Sequence, residues 1–108
     1  MPPTDNRLSI EPDDELGHYL ISGEIDVTTA RLMDTISDLP WSRGSTEIVL
    51  DMSEVTFIDS LGVSVLRGLA ARAPDQKLVI ASPSPAVRTI LRISGLDQLP
   101  GIVIEEAA

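Results

Sequence analysis

The chain contains no cysteine among its 108 residues, which excludes disulfide bonds, thiolate metal sites and cysteine nucleophiles. Its one histidine, His18, does not make a zinc site without such ligands. Aromatic residues account for only 3% of the sequence although 43% is hydrophobic, so we expect a core of Leu, Ile, Val and Ala. The absence of cysteine also fits a reducing compartment, and we expect a cytoplasmic location.

Basic residues are scarce, with eight Lys and Arg against seventeen Asp and Glu and a formal net charge of −9. The only lysine is Lys77 and the arginines are scattered, so no basic stripe is available for a phosphate backbone. We therefore expect no nucleic-acid partner. An acidic surface suits a basic protein partner, but acidity also serves simply to keep a small domain soluble, and both interpretations remain open.

Long apolar runs and the common catalytic loops are also missing. No apolar run approaches the roughly 20 residues that span a bilayer, and residues 1–15 lack the features of a signal peptide, so we expect no membrane insertion. There is no glycine-rich loop for nucleotide phosphates, and Ser60 lacks the flanking glycines of a hydrolase nucleophile elbow. We expect a protein that is not an enzyme and binds no cofactor.

Apolar periodicity predicts strands that alternate with helices. Two early strands, one carrying Leu8 and Ile10 and one over 18–25, are expected to pair as a hairpin. Nearly continuous apolar stretches predict buried strands over 47–51 and 77–81, and a short last strand covers 102–104. The predicted fold class is α/β, a single domain with a mixed, mostly parallel sheet of about five strands and alternating helices.

Three helices are predicted between these strands. The first begins at Thr28 or Thr29, carries apolar residues at positions 32, 36 and 39, and ends at Pro40. The second begins at Ser60 and ends at Pro74. Four of its apolar side chains are expected to point toward the core, namely Leu61, Val65, Leu66 and Leu69.

The third helix has the clearest start and stop signals. Ser84 fits the N-cap, Pro85 the first helical position and Gly95 a left-handed exit. We expect residues 8–104 to form the domain, with residues 1–7 as a flexible N-terminus and residues 105–108 as a flexible tail.

The most informative feature is the junction where Phe57 and Ile58 run into Asp59 and Ser60 at the predicted start of the second helix. Free amide N–H groups and the positive end of the helix dipole favour an anion there, so a phosphate on the Ser60 hydroxyl would be accommodated. We interpret this serine as a switch. The alternative is that Ser60 is an ordinary N-cap. Ser64, one turn later, is the rival phosphate acceptor, but it is less accessible to a kinase inside the helix.

Three segments in order carry a family resemblance. They are GEID at 23–26, LDMSEVTFIDSLGV at 50–63 and ASPSPAVRTILRISGL at 81–96. Together they resemble the STAS domain, and specifically the stand-alone anti-sigma factor antagonists of bacteria, over nearly the whole chain. The resemblance implies a STAS-like fold.

The resemblance also implies a phosphorylation site at Ser60, the position that matches the serine of the family's D-S-x-G turn. In the family, the unphosphorylated form binds an anti-sigma factor serine kinase and releases the sigma factor. Phosphorylation abolishes binding, and a PP2C-type phosphatase restores the active form. The partner-binding residues implied here are Asp26, Asp59, Ser60, Leu61 and Gly62. Leu61 departs from the family, which commonly has Ser or Thr at that position.

Other interpretations of these residues remain open on the sequence. Asp26 and Asp59 also fit as turn residues that hydrogen-bond local backbone, Asp51 fits a strand end, and Gly62 fits close packing of a helix on the sheet. The alternative function is a STAS docking subunit of a larger complex, such as a lipid-transport complex or a stress-signalling scaffold, without regulated phosphorylation.

Overall fold

The computed structural model describes residues 7–35, 46–72 and 76–106. Within these ranges the strands are Leu8–Pro12 (β1), His18–Ile25 (β2), Glu47–Ile58 (β3), Lys77–Ala81 (β4) and Ile102–Glu105 (β5). The α-helices are Ala30–Asp34 (α1), Ser60–Arg72 (α2) and Pro85–Ser94 (α3), and a short 3-10 helix covers Leu96–Gln98.

The five strands form one mixed sheet in the order β1-β2-β3-β4-β5. β1 and β2 are antiparallel, with Leu8 opposite Gly23, and the remaining neighbours are parallel. Parallel neighbours need a crossover, which the helical segments between successive strands supply. The predicted opening hairpin and the predicted α/β class are both confirmed.

The core is aliphatic, as predicted. Three consecutive residues are buried in β3 (48–50) and three in β4 (78–80). Because successive side chains of a strand point to opposite faces, both faces of the central sheet are covered there. Of the described aromatic residues, Tyr19 is buried in the same cluster and Phe57 is about half exposed.

Strand β3 is longer than predicted, because the segment after Asp51 continues the strand to Ile58. Its pairing with β2 shifts register twice, and at each shift β3 carries an extra residue. The first bulge is stabilised locally, since the Asp51 carboxylate accepts hydrogen bonds from the Ser53 amide (3.0 Å) and hydroxyl (2.8 Å). Asp51 therefore lies inside the strand and not at its end. Bulges interrupt the alternation that marks a strand, which is why the sequence predicted a strand over 47–51 only.

The described part of the first helix is Ala30–Asp34. Its predicted positions 36, 39 and 40, like Pro74 at the predicted end of the second helix, lie outside the described residues. Leu61 was predicted to point toward the core and is 42% exposed, so that prediction is wrong. The inner face of α2 is formed instead by Gly62, Val63, Leu66 and Leu69, since Gly62 makes the closest approach to the sheet.

The third helix has the predicted ends. The Ser84 hydroxyl accepts a hydrogen bond from the Val87 amide at 3.4 Å, Pro85 is the first helical residue, and Gly95 has a φ of 76°. The Ser84 hydroxyl also donates to the Val55 carbonyl at 2.6 Å and so ties the start of α3 to β3.

The predicted domain boundaries need correction at both ends. Arg7, assigned to a flexible N-terminus, donates hydrogen bonds to the side chains of Glu24 in β2 and of Asp26 and Thr28 in the turn after it. Glu105, assigned to a flexible tail, is the last residue of β5. Glu106 forms an ion pair with Arg88 of α3 at 2.8 Å. These contacts of Arg7 and Glu106 are polar, so the spacing of apolar side chains does not predict them.

Candidate functional site

Ser60 is the first residue of α2 and is exposed at the carboxyl end of the parallel pair β2 and β3. Ile25 and Ile58 are register partners there. Asp26 and Asp59, the residues that follow them, therefore lie at the same end of the sheet. The structure thus brings the two sequence segments that carry the predicted site residues to one edge.

Asp59, not Ser60, makes the side-chain cap of α2. The Gly62 amide donates to Asp59 Oδ1 at 3.0 Å, and the Val63 amide donates to the Asp59 carbonyl at 3.0 Å, which is the first helical hydrogen bond. The Asp59 amide donates to the Ile25 carbonyl at 3.2 Å. An acidic cap also complements the helix dipole. Because Asp59 fills the capping role, the alternative interpretation of Ser60 as an ordinary N-cap does not describe this helix.

Gly62 holds the first turn of α2 tightly against the sheet. A Cβ atom at this position would lie 2.8 Å from side-chain atoms of both Ile25 and Ile58, and 3.0 Å from the Ile25 carbonyl oxygen. Real Cβ contacts are longer than this, so a larger residue would push α2 outward. Gly62 is itself buried. It therefore fixes where Ser60 is presented, and direct contact of Gly62 with a partner stays a proposal.

The second part of the site is the turn that follows β2. Asp26 Oδ1 accepts hydrogen bonds from the amide (2.9 Å) and the hydroxyl (2.8 Å) of Thr28. The Asp26 amide donates to the Thr29 hydroxyl at 3.0 Å, and that hydroxyl donates to the Glu24 carbonyl at 2.6 Å. Asp26 thus organises the entry to α1, which is the turn role that the sequence left open.

Arg7 closes the same turn from the start of β1. Its guanidinium donates to the Glu24 carboxylate at 2.8 Å, to the Thr28 hydroxyl at 2.7 Å and to the Asp26 carboxylate. Sequence reasoning missed Arg7. The signal that could have found it is the hairpin register, because pairing of Leu8 with Gly23 places Arg7 opposite Glu24.

The carboxyl of Asp26 has a perturbed pKa. Its burial alone would raise the pKa, but the hydrogen bonds from Thr28 and the charge of Arg7 outweigh that effect and lower the pKa below its ordinary value. A carboxyl whose pKa is lower in the folded state stabilises the fold above its unfolded-state pKa, about 3.9 for aspartate. That contribution is lost as the pH falls through the folded-state pKa.

We expect Asp26→Asn to lower stability at neutral pH, because the amide can still accept from Thr28 but carries no charge for Arg7. The stability difference from wild type should shrink as the pH is lowered from about 4 toward the folded-state pKa of Asp26. Urea denaturation between neutral pH and pH 3 measures this, with Arg7→Gln and the double variant completing a double-mutant cycle. Parallel stability curves for wild type and Asp26→Asn over the whole range would contradict a charge role for Asp26.

Three apolar side chains surround this end of the sheet without being buried. Val27 is 71% exposed, Phe57 47% and Leu61 42%. Ser64, the rival phosphate acceptor, is also exposed, but it lies inside α2, where the backbone is held by helical hydrogen bonding. The site therefore combines one serine at a helix start with exposed apolar neighbours.

The described residues contain no group of three or more His, Cys, Asp or Glu side chains arranged to hold a metal ion. None of the helices described is long and apolar enough to cross a membrane. His18 begins β2 and lies 3.4 Å from the Glu15 carboxylate at the surface. The polar groups at the carboxyl end of β2 and β3 include the Ser60 hydroxyl and the carboxylates of Asp26 and Asp59, which accept hydrogen bonds.

A mixed five-stranded sheet with alternating helices is the fold of the STAS class of α/β domain. Comparison with protein families gives the same class, since a family model described as "Mlab, STAS domain" matches residues 13–104. The match covers most of the chain, and the chain belongs to this STAS family.

Three solved structures illustrate the similarity in fold. An anti-sigma factor antagonist from Mycobacterium paratuberculosis has 24% identity and a TM-score of 0.68, with 89% of this chain and 83% of that chain covered. SpoIIAA in its unphosphorylated form, also an anti-sigma factor antagonist, has 21% identity and a TM-score of 0.63, covering 94% and 89%. RsbS from Moorella thermoacetica has 20% identity and a TM-score of 0.63, covering 95% and 89%. At these identities the similarity establishes the fold.

Proposed function

We propose that this chain is an anti-sigma factor antagonist that is switched by phosphorylation of Ser60. The unphosphorylated form binds an anti-sigma factor serine kinase in the cytoplasm and so releases the sigma factor. Phosphorylation of Ser60 abolishes that binding, and a PP2C-type phosphatase restores it. The chain is then a substrate and a ligand, not a catalyst.

The observation behind this proposal is that Asp59 and Ser60 have different roles at the start of α2. Asp59 supplies the cap hydrogen bond at 3.0 Å, and Ser60 at the next position is exposed. A kinase therefore reaches the Ser60 hydroxyl without breaking the cap. The similarity in fold to anti-sigma factor antagonists supports the same assignment.

The expected energies indicate that a phosphate on Ser60 changes partner binding and not the stability of the fold. A phosphate adds a charge of roughly −1.5 to −2 near neutral pH. At a helix N-terminus a negative group typically gains about 0.3 to 1 kcal/mol from the dipole, so the modified domain should stay folded. In an interface the same charge beside Asp59 must be desolvated or paired, and this costs several kcal/mol if the partner offers no cation.

Phosphotransfer tests the proposal. The purified chain is incubated with an anti-sigma factor kinase from the same source and Mg-ATP, and the modified residue is identified by mass spectrometry. We expect one phosphate, on Ser60. Ser60→Ala should abolish incorporation, whereas the matched variant Ser64→Ala, one turn along the same helix, should be modified like wild type. Incorporation that persists in Ser60→Ala and disappears in Ser64→Ala would contradict the assignment.

A second candidate function is a STAS docking subunit of a larger complex, such as a lipid-transport complex or a stress-signalling scaffold. The description of the matching family, which names Mlab, is the observation that favours it. In this case the same surface docks without regulated phosphorylation. The two functions differ in one measurable respect, since docking of this kind does not depend on the charge at position 60.

A further inference from the structure

Two surface grooves of about 350 Å³ each lie against helix α2. The α1/α2 groove lies between α2 and the start of α1, and the α2/α3 groove lies between α2 and α3. Ser60 lines the α2/α3 groove and does not line the other one. A kinase that modifies Ser60 must place its own atoms in front of that hydroxyl, so a bound kinase covers the groove that Ser60 lines.

The wall of the α2/α3 groove is mainly apolar. Val63 of α2 and both Ile90 and Ile93 of α3 contribute aliphatic surface to it. Apolar atoms make up a larger share of this wall than of the wall of the α1/α2 groove. Exposed apolar side chains grouped around a concave surface are typical of protein contact sites. The groove that Ser60 lines is therefore also the better suited of the two to bind an apolar group.

Ile93 is the most exposed of the large apolar side chains in the part of the chain that the structure describes, at 76%. Helix α3 buries Val87 and Leu91, whereas Ile93 is not part of the core. Ile90 lies three residues earlier, on the neighbouring part of the helix surface, and is partly buried. A partner that covers Ile93 gains roughly 25 cal/mol for each Å² of apolar surface removed from water.

Arg67 is the only charged residue among the described residues that line this groove. It follows Ser60 by seven residues, just under two helical turns, so the two residues lie on the same face of α2, about 10 Å apart along the axis. Arg67 is exposed and forms no ion pair with another described residue. An arginine of this kind, beside an apolar wall, favours a carboxylate on the partner.

We infer that the anti-sigma factor kinase docks on the α2/α3 groove, with an apolar side chain against Ile90 and Ile93 and a carboxylate on Arg67. This inference rests on the proposed function and specifies its interface. Ser60 in the lining selects the groove, the exposure of Ile93 indicates the apolar contact, and the charge of Arg67 indicates the carboxylate.

The same arrangement explains how a phosphate on Ser60 acts. The phosphate lies at the groove that the partner covers, about two helical turns from Arg67. Its charge opposes the partner's carboxylate and weakens the attraction of that carboxylate to Arg67. Like charges brought together in an interface disfavour the complex. The repulsion is local to the groove, so it requires no conformational change of the domain.

Titration calorimetry with the purified kinase tests the apolar contact. We expect Ile93→Ala to weaken binding about tenfold, as truncation of a central apolar contact does, and Ile93→Leu to bind within about threefold of wild type because it keeps the volume. Leu16→Ala is the matched control. Leu16 is also exposed, at 52%, but it precedes β2 and so lies at the opposite end of that strand from the site. This variant should bind like wild type.

Two further variants test the charge contact and the choice of groove. Arg67→Gln should weaken binding severalfold and reduce its dependence on salt. Val27→Ala should bind within about twofold of wild type, because Val27 is 71% exposed but lines the α1/α2 groove. Loss of affinity in Val27→Ala together with wild-type affinity for Ile93→Ala would place the partner on the α1/α2 groove and overturn the inference.

Ser60→Glu in the same series separates this inference from the proposed function. Weak binding by Ser60→Glu together with wild-type affinity for Ile93→Ala and Arg67→Gln would overturn the groove assignment and leave the switch intact. Wild-type affinity for Ser60→Glu, or no binding by wild type, would refute the proposed function and with it the inference. Unchanged circular dichroism should accompany every substitution, since the mutated side chains are exposed.

Sedimentation of the chain alone tests a second copy as the other occupant of the groove. We expect wild type and Ile93→Ala to sediment alike, because the inference assigns Ile93 to the kinase. Self-association of wild type that Ile93→Ala abolishes would assign the α2/α3 groove to a second copy and overturn the inference.

Discussion

Ser60→Glu is expected to weaken binding of the anti-sigma factor kinase by about 100-fold or more, while Ser60→Ala binds at least as tightly as wild type. The glutamate places a second negative charge next to Asp59, inside the proposed interface. Several kcal/mol of unfavourable interaction follow there, and each 1.4 kcal/mol is about a tenfold loss of affinity. The same substitution should not unfold the domain, because an acidic residue in the first turn of α2 is favoured by the helix dipole.

A matched control for this prediction is Ser64→Glu, which adds the same charge on an exposed position of the same helix, one turn farther from its start. It should bind the kinase severalfold more tightly than Ser60→Glu does. Titration calorimetry with purified kinase measures all four proteins. Similar affinities for the two glutamate variants would mean that added charge anywhere on α2 has this effect, and Ser60 would lose its special role.

The largest effect on stability is expected from Gly23→Ala, with a loss of about 4 kcal/mol or more, which is close to the whole stability of a marginal domain. Gly23 has a φ of 109°, and a Cβ atom there would lie 2.0 Å from the Arg7 carbonyl oxygen. This oxygen accepts the Glu24 amide at 2.8 Å, so relief of the contact requires β1 to move away from β2. The turn that positions Asp26 would lose its closure by Arg7 as well.

The control for Gly23→Ala is Gly95→Ala, which also has a positive φ, 76°, but no atom within 4 Å of the added Cβ. Its cost should be only the left-handed backbone penalty of about 1 to 2 kcal/mol. Urea denaturation followed by circular dichroism compares the two variants with wild type. Equal losses would show that backbone conformation alone accounts for the effect and that contact with Arg7 does not matter.

Much of the sheet could be predicted from the sequence because burial on both faces leaves a plain signal. The runs at 48–50 and 78–80 are apolar without interruption, and the structure has strands β3 and β4 there. The helix α3 was equally predictable, since Ser84, Pro85 and Gly95 each favour one position at a helix end. The continuation of β3 past Asp51 was not, because its two bulges remove the regular alternation.

The sequence places Asp59 and Ser60 at the start of α2 but does not show what each side chain does there. Asp59 and Ser60 are both common at helix starts, and only the hydrogen bond from the Gly62 amide shows which one is the cap. The orientation of Leu61 depends on how Gly62 sets the rotation of α2 against Ile25 and Ile58, a tertiary contact that helical spacing does not contain.

The contact between Arg7 and Asp26 could not be predicted from the sequence. The two residues are nineteen positions apart and are brought together by the hairpin register, so the local sequence around either one does not indicate the contact. The charge composition helps only to exclude a class of partner. A net charge of −9 argues against nucleic acid but does not select among protein partners.

Capture of partners from lysate of the source cell tests the Ser60 switch directly. Wild type, Ser60→Ala and Ser60→Asp are immobilised, and mass spectrometry identifies the bound proteins and any phosphate on Ser60. We predict an ATP-binding anti-sigma factor kinase on wild type and on Ser60→Ala, its absence from Ser60→Asp, and phosphate on a fraction of wild-type Ser60. The same partners on all three proteins, or subunits of a membrane transport complex, would contradict the switch and make the chain a docking module.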